Sequence, residues 1–200
     1  MRLPATDCTC PVLRSFVDVY HHTATAIGTD DEVNIIAPAM LKRIEGTRGT
    51  SEMARSYMAL DWMVSVYATT WLWLLEDMRG IATDLQEYLP ITTPAARARA
   101  GANLDDAVEI VDLHTTDNGA RPMAHELRPA AGSLIQHSLM TAVRSAAYQA
   151  DADGVRGAGV RLGWLGACLV LSDDRGEEAV SLCGHLRENA LDLFDRMVDA

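Results

Sequence analysis

The sequence predicts an all-α protein, a multi-helix bundle of seven or eight helices with no significant sheet. Three observations predict it. Apolar residues recur at helical spacing through most of the chain. Gly, Pro and capping residues fall at intervals that suit helices. Alternating strand patterns are nearly absent, since Ile35-Ile36 and Cys168–Leu171 are the only short β-like runs and each sits inside a helical pattern.

Each element follows from local chemistry. Pro11 to Ile27 reads as the first helix, with Pro in its first turn, where a missing N–H costs nothing. Gly28 ends it. Thr29-Asp30-Asp31-Glu32 opens a second helix to about Ile44, its acids complementing the positive helix end. Pro38 lies inside that helix and should kink or split it. Gly46-Thr47-Arg48-Gly49 is a loop, and Thr50 or Ser51 caps a third helix.

The third helix enters the most apolar part of the chain. Asp61 and Glu76 bracket 14 uncharged residues. As helix these span about 21 Å, short of the roughly 30 Å of bilayer hydrocarbon. Thr69-Thr70 offers an N-cap within the run. The expectation is therefore two buried helices meeting near Ala68–Thr70, with no membrane span. Met53, Tyr57, Leu60, Val64 and Tyr67 form one stripe, while Met58, Trp62 and Val66 cover the opposite side. Such a helix should be central in its bundle.

Thr70–Met78 and Ile81–Tyr88 read as short helices separated by Arg79-Gly80. Thr93 caps a helix from Pro94 to about Leu113, with Ala98, Ala102, Leu104, Val108 and Val111 as its apolar positions. Residues 114–130 are the longest candidate loop. They would join sub-halves 11–113 and 131–200 of a single helical domain covering 1–200. Helices are expected at about Ala131–Asp151, Val155–Leu171 and Gly176–Val198.

Composition narrows the function classes. The 200 residues are 48% apolar and 22% charged, an ordinary globular balance. A net charge of −11 argues against nucleic acid or an anionic membrane as partner. Lys42 is the only lysine among 17 basic residues, a bias typical of GC-rich bacterial or phage genomes. MRLPATDCTCP lacks the apolar core of a secretory signal, so a cytoplasmic location is expected.

Motifs of known chemistry fail on spacing. Gly157-Ala-Gly159-Val-Arg-Leu-Gly163 has its third glycine one residue too late for a dinucleotide fingerprint, and no strand precedes it. Gly159, Gly163 and Ala167 instead suit close helix packing. Asp151-Ala-Asp153-Gly154 lacks the twelfth-position glutamate of a calcium loop. The six histidines contain no His-x-x-x-His pair. A cross-helix set of Asp18, His21 or His22, and His185 is the nearest approach to a metal site. Cys8-Thr9-Cys10 is one residue short of a metal knuckle and reads, with Cys168 and Cys183, as free thiols, the alternatives being a zinc site or a disulfide. No cofactor, metal ligand set or catalytic residue is expected.

What remains is a charge cluster and an indole cluster. Asp61 sits in an apolar run and needs a partner, because desolvating a lone carboxylate costs several kcal/mol. Arg43, Arg48 and Arg55 are candidates. Arg48, Arg55 and Asp61, with Glu45, can form one cluster where the 46–50 loop folds against the third helix. Such a cluster holds the loop, or binds a carboxylate or phosphate through bidentate arginine. Trp62, Trp71 and Trp73 either fill the core or form a subunit interface.

Two segments, Arg43–Thr50 followed by Arg55–Trp62, and the C-terminal Ala190–Val198, resemble a group of helical bacterial proteins of unknown function. The resemblance covers about an eighth of the chain and implies no activity. The leading expectation is a non-catalytic helical interaction, scaffold or regulatory protein with a protein partner or a homo-oligomeric state. The alternative is a ligand-binding or enzymatic bundle using Arg48, Arg55, Asp61 and a histidine.

Overall fold

The computed structural model describes residues 8–27, 31–49, 51–73, 78–87, 90–116 and 177–200. Among them every regular element is helical. We number these α1 (Pro11–Ile27), α2 (Ala37–Arg43), α3 (Glu52–Trp62), α4 (Thr69–Leu72), α5 (Arg79–Glu87), α6 (Pro94–Thr116) and α7 (Glu177–Asp199). Two π-helical stretches, Glu32–Ile36 and Met63–Ala68, run directly into α2 and α4. The described elements thus form six continuous rods. The helices expected at 131–151 and 155–171, and the loop beyond Thr116, lie outside the described residues, as do Gly159, Gly163 and Ala167.

The chain divides into two compact units, residues 1–59 with 155–200, and residues 60–154. The division falls within α3.

In the first unit, α1 begins at Pro11, and Cys10 precedes it, accepting the Arg14 N–H at 2.9 Å. Val12, Leu13, Phe16, Val17 and Tyr20 are buried, a stripe with the spacing of one helix face. Leu186, Ala190, Leu193, Phe194 and Met197 form the matching face of α7. Phe16 and Phe194 meet at 5.3 Å between ring centroids, tilted by 38°. The Arg43 guanidinium lies 5.4 Å from the Phe194 centroid and bonds Asp195 at 2.6 Å, closing α2 over the outer edge of this contact.

Pro38 acts as its chemistry demands. It occupies the first turn of α2, just after the π stretch. Proline has no N–H, and its ring crowds the carbonyl four residues back, so a widened turn there replaces an ordinary helical one. Gly46 has φ +76°, the left-handed conformation that turns the chain out of α2 with little strain only for glycine.

In the second unit, α3 does not end at a cap near Ala68–Thr70. The expectation of two helices meeting there is overturned. Thr69 has φ −63° and ψ −39°, helical values unsuited to an N-cap. Its hydroxyl donates backward to the carbonyls of Ser65 (2.7 Å) and Val66 (3.0 Å). Thr70 donates to Val66 at 2.6 Å, and Ser65 to the Asp61 carbonyl at 2.7 Å. These hydroxyls supply donors to a ladder whose N–H groups are displaced by the π register, so the rod continues through the pair of threonines.

Most of the described part of the apolar run, up to Leu72, is enclosed. Leu60, Trp62, Met63, Val64, Tyr67, Ala68 and Leu72 are buried. Trp62 and Tyr67 stack at 5.8 Å with their planes 19° apart. Met53, expected on the buried stripe, is instead 42% exposed, while Arg55 and Ser56 two and three positions on are buried. Among the described residues no helix is long and apolar enough to cross a membrane.

Arg79-Gly80 is not a break: both residues form the first turn of α5, where a glycine costs little. Helix α6 starts where expected. The Ala96 N–H donates to Thr93 Oγ1 at 3.2 Å, and the Arg97 N–H to the Thr93 carbonyl at 3.0 Å. Of its expected apolar positions, Ala98 and Ala102 are exposed, while Ala100 and Ala107 are buried, and the side chains of Leu104, Val108 and Val111 lie outside the described residues. In an alanine-rich helix the small side chains leave too little contrast to mark a face. Thr93→Ala should remove the cap and lower stability by about 1 kcal/mol, checked by thermal melting of the purified variant. A melt identical to the parent would mean that Pro94 alone starts the helix.

Candidate functional site

Arg55 is the most constrained charged side chain among the described residues. It is only 5% exposed. Its Nε donates to the Met197 carbonyl at 2.7 Å, and its Nη1 to the Thr47 carbonyl at 2.8 Å. Met197 belongs to the last turn of α7, whose carbonyls lack intrahelical donors and carry the negative end of the helix dipole. A guanidinium there satisfies an orphan acceptor and is itself stabilised by the dipole. Its planar fork lets two donors diverge toward two strands of backbone, a geometry a lysine ammonium does not reproduce.

The second carbonyl belongs to a knot around Thr47. The Thr47 hydroxyl donates to the Ile44 carbonyl at 2.5 Å and accepts the Cys10 N–H at 3.2 Å. The Thr47 N–H also donates to the Ile44 carbonyl at 3.2 Å. Next to it, the Arg48 N–H donates to the Cys8 carbonyl at 3.0 Å. The 44–49 turn therefore holds the segment leading into α1 on one side and, through Arg55, the end of α7 on the other. The expected folding of this loop against the third helix is present, and its agent is a backbone carbonyl rather than a carboxylate.

Asp61 takes a different partner from those expected. It lies in the second unit, half-buried, and its Oδ1 accepts the Ile91 N–H at 2.8 Å. The carboxylate ties the segment entering α6 to the apolar rod. Ile91 itself is 2% exposed, so this bond fixes a side chain within the core. Asp61→Ala should cost about 1–2 kcal/mol, and Asp61→Asn, which keeps an acceptor oxygen, less than half of that. Equal losses in the two variants, measured by urea denaturation, would show that the negative charge and not the bond matters.

The sequence-predicted residues are therefore placed as follows. Arg55 and the loop bearing Arg48 come together through Thr47, with Arg48 and Glu45 exposed. Asp61 bonds within its own unit. Trp62 is 2% exposed and Trp73 39% exposed, and the Trp71 side chain lies outside the described residues. Thr47 was missed by sequence reasoning. A threonine between glycine and arginine in a loop carries no periodic signal, and its partners come from 3 to 37 positions away.

Among the described residues, Asp18, His21 and His185 do not come together as a metal site. Asp18 pairs with Arg14 one turn earlier, both its oxygens lying 2.9–3.0 Å from Nε. His185 is exposed and faces Asn189 on its own helix, and the His22 side chain lies outside the described residues. Among the described residues no three His, Cys, Asp or Glu side chains could hold a metal ion. His114 lies in α6, its side chain outside the described residues, and His125 and His137 lie outside them entirely. Cys8 is exposed and Cys10 buried, both as free thiols. Comparison with protein-family models, with curated proteins and with solved structures finds no significant match to this chain.

Proposed function

We propose that this chain is a non-catalytic helical interaction or scaffold protein of bacterial or phage origin, working in the cytoplasm through a protein partner or a second copy of itself. The observation that supports the reading is the inward use of two of its three candidate ligand-binding groups, Arg55 and Asp61, with Arg48 exposed. Arg55 spends two donors on backbone carbonyls, and Asp61 accepts a backbone N–H. Polar side chains turned to backbone in this way set the shape of a surface and leave little to recognise a small anion. Trp73, 39% exposed in the turn just after α4, is a large aromatic residue of the kind that anchors protein interfaces.

The test is light scattering coupled to size exclusion over a concentration series, with Trp73→Ser beside the parent. Assembly beyond the 21.7 kDa monomer, weakened by Trp73→Ser, is the expected result. A monomer at every concentration whose melting temperature rises with added inorganic phosphate or acetate would replace this reading with the ligand-binding one.

A further inference from the structure

Cys8-Thr9-Cys10 has no role in the reading above, yet both cysteines are fastened to the Thr47 knot by their backbones. We propose that this pair is a thiol–disulfide switch, and that its oxidation to an intramolecular Cys8–Cys10 disulfide loosens the 44–49 turn and the end of α7.

The starting geometry is specific. Cys8 is exposed and Cys10 is fully buried, while the chain turns and bends at Cys8 and Thr9. Adjacent Cα atoms are about 3.8 Å apart, so a bend between residues two apart brings their Cα atoms within the roughly 4.4–6.8 Å that a disulfide spans. Separation is thus no obstacle. Direction is: one thiol faces water and the other the core.

Exposure makes Cys8 the entry point. Its thiolate attacks a low-molecular-weight disulfide such as glutathione disulfide, forming a mixed disulfide and releasing one thiolate. The Cys10 thiolate then attacks the Cys8 sulfur and displaces the second thiolate. Two protein thiols become one disulfide, and the small disulfide is reduced to two thiols. Excess small thiol reverses both steps.

The second step carries the structural consequence. Cys10 reaches the Cys8 sulfur only by leaving the core, which requires rotation of the backbone about Thr9. The groups on either side of Thr9 are the Cys8 carbonyl, bonded by the Arg48 N–H, and the Cys10 N–H, bonded to Thr47 Oγ1. Rotation about Thr9 cannot preserve both. The turn they hold presents the Thr47 carbonyl to Arg55, which in turn holds Met197. A redox event at an exposed thiol therefore acts on a helix end that is distant in sequence. Such a switch suits a reducing compartment, where the thiols are the resting state and oxidation is transient.

The experiment exposes the full-length protein to glutathione disulfide, maps disulfides by peptide mass spectrometry and follows amide hydrogen exchange. The expected product is a disulfide within the N-terminal peptide. Exchange should rise about tenfold in residues 44–49 and in the last two turns of α7, and fall back on adding reduced glutathione. Cys8→Ser, a change at an exposed position, should abolish both effects. Cys10→Ala should leave a glutathione adduct on Cys8 without the change in exchange. A stable glutathione adduct on Cys8 in the parent, or a Cys8–Cys10 disulfide with unaltered exchange in residues 44–49, would overturn the proposal.

Discussion

Phe194→Ala is expected to destabilise the chain by about 3–5 kcal/mol, the largest single effect of those considered. The ring is 1% exposed, packs at a tilt against Phe16 and lies under the Arg43 guanidinium. Truncation removes the transferred apolar area and leaves a cavity lined by α1 and α7, which rigid helices fill only in part. Phe194→Leu keeps most of the volume and should cost under about 1.5 kcal/mol. The difference between the two variants measures the cavity, while the loss in the leucine variant measures the aromatic contacts. Urea denaturation followed by circular dichroism reads both. Losses that match between the variants would mean that the site collapses around alanine, and that α7 is held elsewhere.

The second large effect is at Arg55. Arg55→Ala should cost about 3 kcal/mol, since it removes two charge-assisted hydrogen bonds and strands the buried Met197 carbonyl and the part-buried Thr47 carbonyl. Arg55→Lys keeps the charge and most of the aliphatic stem, but one ammonium cannot serve both carbonyls along the directions taken by Nε and Nη1. It should recover no more than about half of the loss. The loss should also be local in its first signs, with amides of the last turn of α7 exchanging faster before global unfolding is populated. If Arg55→Lys were as stable as the parent, the residue would act as a point charge near a helix terminus and the clamp described above would be wrong.

These effects also mark what each level of description can reach. The ends of α1 and the start of α6 were legible because their signals are local. Pro11 suits a first helical turn, and Thr93 before Pro94 places a capping oxygen within reach of the Ala96 N–H. In the last helix the sequence also offers a wide apolar face of Val180, Leu182, Cys183, Leu186, Ala190, Leu191, Leu193, Phe194 and Met197; of its described side chains all are buried but Leu191, which is half-buried, because large apolar residues at helical spacing contrast with charged neighbours. The same reading failed where contrast or context was lacking. Alanines in α6 do not announce a face. Thr69-Thr70 has the composition of a cap, but its backbone is helical and its hydroxyls bond backward. Arg79-Gly80 looks like a break but lies in a first turn.

The candidate site divides the same way. Asp61 was identifiable as a group in need of a partner, because a charge in an apolar helix must be compensated, and Arg55 was identifiable as a candidate for that partner. Their partners were not identifiable. Sequence reasoning pairs charges with charges, whereas these side chains meet backbone atoms, which every residue carries and no sequence position advertises. The Met197 carbonyl lies 142 positions from Arg55 and the Ile91 N–H 30 positions from Asp61.

By itself, then, the sequence determined that this protein is helical, where its most apolar rod lies, and which polar side chains along that rod could not stand alone. Periodicity and capping act over one or two turns, and a single chain of letters records them. Only the tertiary structure decided that the rod runs unbroken through Thr69 and Thr70, that Arg55 closes the end of α7, and that Thr47 joins the approach to α1 to that clamp. Those outcomes depend on which backbone groups are left without donors or acceptors once helices pack, and that is a property of the fold rather than of any local run of residues.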